Sequence, residues 1–136
     1  MNIEYLNSLP EIENKYNVQL EENEKVVFVA ELSTFGTEKD RVLGGYDSKF
    51  TLTNRRIIAD NNVGFWTINI ADDIVECRKN ENKFLIFKTV YFSIELNTQI
   101  TYGNGEKLTG FHFYFKKEYT NKFEEIMSNV FNLSRK

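Results

Sequence analysis

The sequence predicts a mainly β fold: a strongly bent, seven-stranded antiparallel barrel capped by a C-terminal α-helix, with a short helix at the N-terminus. Three observations predict it. Residues 24–116 break into about seven short runs in which apolar and polar residues alternate, the period of a half-buried strand. Residues 118–134 change to a helical period. The aromatic share is 15%, carried by twelve Phe, seven Tyr and one Trp, and such rings cover a pleated sheet well. Open sheet edges must be covered and an apolar helix stripe must be buried, so a bent sheet with the last helix across one open end satisfies both needs.

The elements follow in order. Residues 1–23 read as a helical extension: Ser8 is placed to cap, Pro10 is tolerated in a first turn, and Glu11 stands at capping-box distance. Ile12 and Tyr16 then share one face, up to a soft end at Asn17. The barrel is expected over 24–116. In "EKVVFVAEL", Val26, Phe28, Ala30 and Leu32 line one face. "STFGTEKDRVLGGYD", residues 33–47, reads as a long loop, and loops of that length are often functional. "SKFTLT" puts Phe50 and Leu52 on one face. Thr53-Asn54-Arg55 turns the chain, Asn54 being suited to the left-handed region, and "RIIAD" returns. "FWTINI" alternates again, with Trp66, Ile68 and Ile70 together as core positions, before "ADD" breaks the pattern ahead of "IVECRK".

"NEN" at 80–82 predicts a turn, and "KFLIFKTVYFSIELN" a long strand with Phe84, Ile86, Val90, Phe92, Ile94 and Leu96 on one face. Lys88 interrupts that face and predicts a bulge, a bend or a switch between two strands. Asn104-Gly105 predicts a tight hairpin turn. In "LTGFHFYF", Phe111, Phe113 and Phe115 then alternate with His112 and Tyr114. Phe123, Ile126, Met127, Val130 and Phe131 fall on one stripe of the capping helix, residues 118–134. No repeat or linker divides the chain, so residues 1–136 are expected to form one domain.

Charge and composition narrow the function. At 136 residues the chain is long enough to bury a core without staples. Its net charge is −3; residues 1–25 hold six Glu against two Lys, a balance of −4, and the remainder holds fifteen basic against fourteen acidic residues. No basic stripe is present, which argues against nucleic acid as a partner. Cys77 stands alone, so neither an internal disulfide nor a thiolate zinc site is available, and on a strand it reads as a small filler. "MNIEYLNSLPEIE" lacks the apolar core of a secretory signal and no run is long enough to span a bilayer, so a cytoplasmic address is expected.

Chemistry finds little support. His112, the single histidine, alternates with phenylalanines and reads as structural. Asp72 and Asp73 point apart on an extended backbone, with no further oxygen ligands at a metal-binding spacing. Gly103 and Gly105 lack the Lys-Ser or Lys-Thr ending of a phosphate loop. No catalytic residue, metal or cofactor is expected, and the chain reads as non-enzymatic. An aromatic-rich barrel could also enclose an apolar ligand, but packing accounts for its rings.

One stretch resembles a known family. Leu52, Thr53, Asn54, Arg55, Arg56 and Ile57, with Asp73-Ile74 downstream and the closing "GFHFYF…KFEEIMSNVF", resemble the PH-like superfamily, and within it the GRAM and bacterial PH-type domains. The resemblance covers roughly residues 24–134 and leaves the acidic N-terminal segment outside it. It implies a binding module, with a protein partner or a second copy as the first expectation, through the 33–47 loop and the N-terminal helix.

The alternative is an anionic membrane surface or phosphoinositide-like headgroup, met by Lys39, Arg41, Lys49, Arg55 and Arg56. Glu38, Asp40 and Asp47 leave the first loop at −1, which departs from the family's lipid-binding pattern. The bland reading of Arg55 and Arg56 sends one to solvent and pairs the other with a carboxylate such as Asp60 or Asp73.

Overall fold

The computed structural model describes residues 1–37, 42–44, 48–60, 65–101, 105 and 107–135, with the backbone alone for 35, 42–44, 66, 84, 134 and 135. All seven expected strands form: β1 (Val26–Thr37), β3 (Ser48–Thr53), β4 (Arg56–Asp60), β5 (Phe65–Asn69), β6 (Ile74–Phe84), β7 (Phe87–Thr101) and β8 (Lys107–Phe115). Two short strands, β2 (Val42–Gly44) and β9 (Ser134–Arg135), join them. The sheet runs β5-β4-β3-β1-β8-β7-β6-β9, with β2 on β1. β9 lies parallel to β6, and the other pairings are antiparallel. β1 is the seam. Its first half pairs with β3 and its second half with β8, and the register shifts between Leu32 and Thr34, an irregularity of the kind that bends a strand.

The core is largely phenylalanine. Phe50, Phe92, Phe111, Phe113 and Phe123 are all buried. Phe123 comes from α3 (Lys117–Phe131), whose buried stripe also holds Ile126, Met127 and Val130. Its ring lies 4.6 Å from that of Phe115, 4.8 Å from Phe92 and 5.5 Å from Phe50, so one helix residue joins both halves of the sheet. Lys79 on β6 reaches Glu124 at 3.0 Å and fixes the outer side of the helix. α3 ends at Asn132, which takes the left-handed conformation (φ 55°) and donates its N–H to the Ser128 carbonyl.

Several expectations need correction. The first helix is α1 (Glu4–Ser8), which ends at the serine expected to start it. Ser8 turns its hydroxyl back to the Tyr5 carbonyl, and Leu9 is extended (ψ 145°) because a residue before proline is pushed out of the helical region. β1 continues to Thr37 and β2 occupies 42–44, so the 33–47 segment is only partly loop; residues 38–41 and 45–47 lie outside the described set. The break at "ADD" is a single helical turn, α2 (Ile70–Asp73). The side chain of Trp66 and residues 102–104 of the Asn104-Gly105 turn also lie outside the described residues.

The largest correction concerns residues 80–88. Asn80, Glu81 and Asn82 lie within β6, paired with Tyr91, Val90 and Thr89, and the turn falls on Leu85-Ile86. The interruption at Lys88 is therefore a switch between two strands. "KFLIFK" is nearly symmetric about its centre, and the ladder pairs Lys83 with Lys88 and Phe84 with Phe87.

Candidate functional site

Two hairpins compete for the site. The β3–β4 hairpin carries the two arginines, and the fold accounts for most of its motif. Leu52 is core. The Thr53 hydroxyl accepts the N–H groups of Arg55 (3.0 Å) and Arg56 (2.7 Å) and donates to Glu24 at 2.6 Å. Asn54 has no positive φ; its side chain instead accepts the Lys25 N–H and donates to Asn7, clamping the N-terminal segment to the turn.

Arg56 pairs with Glu24 at 2.7 Å, not with Asp60 or Asp73. The Glu24 side chain is fully covered. Glu24 precedes the β1 residue opposite Thr53 by two positions, which is how a partner 32 residues away in sequence arrives at the turn. Burial pushes the Glu24 carboxyl up, but hydrogen bonds from Arg56, the Glu21 N–H and Thr53, with the Arg56 charge, outweigh it and hold the group below its usual range. Asp73 instead accepts the Asn69 N–H.

The remaining nominated cations are dispersed. Arg55 is exposed in a groove shared with Glu21 and Asp72, carboxylates that oppose an anionic ligand. Lys49 stands opposite Glu31 and Asp60 in the ladders, with its ammonium 5.8 Å from the Tyr16 ring centre. About 17 Å of strand separates Lys49 from the turn at Asn54. Lys39 and Arg41 lie outside the described residues.

The second hairpin, β6–β7, is hidden in the sequence because "KFLIF" alternates like the start of one long strand. β7 makes its last pair with β8 at Phe92, so the hairpin arm continues alone to Phe87, about 17 Å further. Its tip is bare: Leu85 is 82% exposed, Ile86 92% and Phe87 68%. Leu85 has φ 58°, a conformation that costs an L-residue about 1–2 kcal/mol and usually selects glycine. Lys83 and Lys88 stand directly opposite one another below the tip, a like-charge pairing that destabilises a ladder. Glu81 partly offsets it, 3.0 Å from Lys88 and 3.7 Å from Lys79. The hydrogen bond from Lys88 chiefly lowers the Glu81 carboxyl below its usual range. The near-palindrome in "KFLIFK" is the signal from which the turn could have been read.

A third cluster is His112 with Ser93 and Arg78, aligned one per strand across β8, β7 and β6. They line a shallow cleft with Glu76, Glu95 and Thr109. The Ser93 hydroxyl accepts from Asn80 at 3.0 Å, and Arg78 pairs with Glu76 at 2.9 Å. Cys77 is buried and does not join the cluster. Among the described residues, no group of three His, Cys, Asp or Glu gathers to hold a metal ion.

No family model matches the chain, and no curated protein matches it. Among solved structures it is similar to the Vps36 N-terminal PH domain, with a TM-score of 0.55 at 15% identity, over 90% of this chain and 92% of that one. That likeness shows the fold. The chain has a PH-like fold.

Proposed function

We propose that this chain is a single-domain, non-enzymatic, cytoplasmic binding module that attaches reversibly to an anionic membrane surface through the β6–β7 hairpin. One observation carries the reading: three local costs coincide at one place. A largely exposed Leu-Ile-Phe tip, a leucine at positive φ and two lysines face to face each work against folding, and such conflicts concentrate where a sequence serves a function. A convex apolar tip above a cationic root matches a bilayer, with acyl chains for the tip and anionic headgroups for the lysines.

Among the described residues, no helix is long and apolar enough to cross a membrane, in keeping with attachment from one side. Lys49 and Arg55 enter as secondary cations, together with Lys39 and Arg41; Arg56 is engaged by Glu24. Placement among GRAM or bacterial PH-type domains belongs to the same proposal, supported by the hairpin that the 52–57 motif forms between β3 and β4.

A protein partner or a second copy is the competing reading. The observation favouring it is β5, which ends the sheet path and carries Phe65 at 62% exposure, a suitable edge for strand addition. Flotation with neutral and anionic liposomes, at low and moderate salt, separates the two. Binding to anionic vesicles that weakens with salt is expected. Absence of binding in every condition, with a concentration-dependent dimer in sedimentation, would transfer the function to the β5 edge.

A further inference from the structure

The outer face of β6, β7 and β8 carries two adjoining rows of residues. Arg78, Ser93 and His112 form one row, and Glu76, Glu95 and Gly110 form the next. Gly110 adds no side chain to its row, and the two rows frame a cleft of about 240 Å³ that Thr109 also lines. The ladders break on both edges of β7 next to Glu95. On one side β6 has an extra residue, Val75; on the other, residues 96–99 of β7 stand opposite Thr109 alone. Bulges gather beside functional sites, where they re-aim side chains.

Three hydrogen-bonding capacities in the cleft are unspent. Glu95 has no hydrogen bond or ion pair among the described residues. Arg78 gives one N–H, from Nη2, to Glu76 at 2.9 Å, and its other N–H groups have no partner among the described residues. The Ser93 hydroxyl accepts from Asn80 at 3.0 Å and keeps its own hydrogen to donate. Aromatic rings flank the row: Tyr91 lies 5.2 Å from His112 and is stacked 4.7 Å from Tyr114.

Charge decides the class of ligand. An anion in this cleft meets Glu76 and Glu95, and a cation meets Arg78, so either sign is opposed at short range. A neutral molecule rich in hydroxyls is opposed by neither. Each hydroxyl both donates and accepts, so neighbouring hydroxyls on one ring can donate to Glu95 and accept from Arg78 and Ser93. The bonds to the two charged groups are of the stronger, charge-assisted kind. The His112 ring offers its face to the C–H side of the same molecule. The volume falls below the roughly 300–1,000 Å³ of sites for drug-sized ligands, which leaves room for a single ring. We infer that this cleft binds one ring of a neutral sugar. The inference goes beyond the membrane reading and does not rest on it, because Ser93 lies about 23 Å along the arm from Ile86.

The full chain, labelled with ¹⁵N, is titrated with the methyl glycosides of glucose, galactose, mannose and N-acetylglucosamine in the absence of lipid. Saturable amide shifts confined to the surroundings of Arg78, Ser93, Glu95, Thr109 and His112 are expected with at least one of them. Three hydrogen bonds and a ring contact set a Kd on the order of 1–10 mM. Added salt should leave it unchanged, since the ligand carries no charge. Glu95 is exposed, so Glu95→Ala should fold as wild type does while binding at least about tenfold more weakly. Arg78→Lys, which retains a cation beside Glu76, should weaken binding to a similar extent. Acetate and methylguanidinium chloride, at the same concentrations, should leave the cleft unshifted.

A Leu85→Ser/Ile86→Ser/Phe87→Ser variant should keep the sugar shifts while losing vesicles. Uniform, unsaturable shifts with all four glycosides would overturn the sugar site, as would shifts that survive Glu95→Ala. Localised shifts with methylguanidinium or acetate in place of the glycosides would overturn it in favour of a charged ligand. Localised sugar shifts in a protein that binds no vesicle would uphold the cleft and overturn the membrane reading alone.

Discussion

Substituting Ile86 by serine separates binding from folding at a single position. Ile86 is 92% exposed, with Leu85 at 82% and Phe87 at 68%, so nearly all of their apolar surface remains available to a bilayer. Fully burying one such side chain is worth about 1.5–3 kcal/mol, and the three together therefore offer roughly 5 kcal/mol on transfer. That is a partition gain of several thousandfold, comparable to one myristoyl chain and hence reversible. Ile86→Ser removes about 2 kcal/mol of it, a loss of roughly thirtyfold in vesicle affinity. Its folding stability should move by no more than about 0.5 kcal/mol, as for other surface positions.

Leu85→Gly sharpens the test because its two effects have opposite signs. Glycine relieves the left-handed strain and raises folding stability by up to about 1 kcal/mol, while the lost side chain lowers vesicle affinity. Denaturant unfolding reads the stability and liposome co-sedimentation the affinity. Unchanged vesicle affinity in Ile86→Ser, or a fall matched by an equal loss of stability, would refute the reasoning.

Other outcomes follow from the same structure. Glu24→Ala leaves Arg56 partly covered beside a weaker partner, Glu21 at 3.7 Å, and should cost about 3–5 kcal/mol of stability by calorimetry. Because the folded Glu24 carboxyl titrates below its unfolded value, its contribution is complete above the ordinary carboxylate pKa of about 4.3 and fades as pH falls through the folded value. Acid unfolding should accordingly be shallower in Glu24→Gln than in wild type. Burial, and secondarily Glu76, pushes the Cys77 thiol up to about 12, so a thiol reagent at neutral pH should label it only after denaturant is added. Phe123→Ala removes the ring that joins both halves of the sheet and should destabilise by about 3–5 kcal/mol in urea unfolding.

The sequence by itself determined the strands and the capping helix. Period-two alternation reports a face against a core, and Phe111, Phe113 and Phe115 are buried as their spacing requires. The helical stripe of Phe123, Ile126, Met127 and Val130 is buried on the same principle. Periodicity is local, so it survives without knowledge of neighbours.

Tertiary structure decided the rest. Which carboxylate meets Arg56 depends on β1 lying beside β3, a contact across 32 residues that no local pattern records. Whether "LIF", residues 85–87, is core or tip depends on where β8 stops pairing with β7. An apolar residue carries the same signal in either place, and only the presence or absence of a neighbour decides whether it is buried.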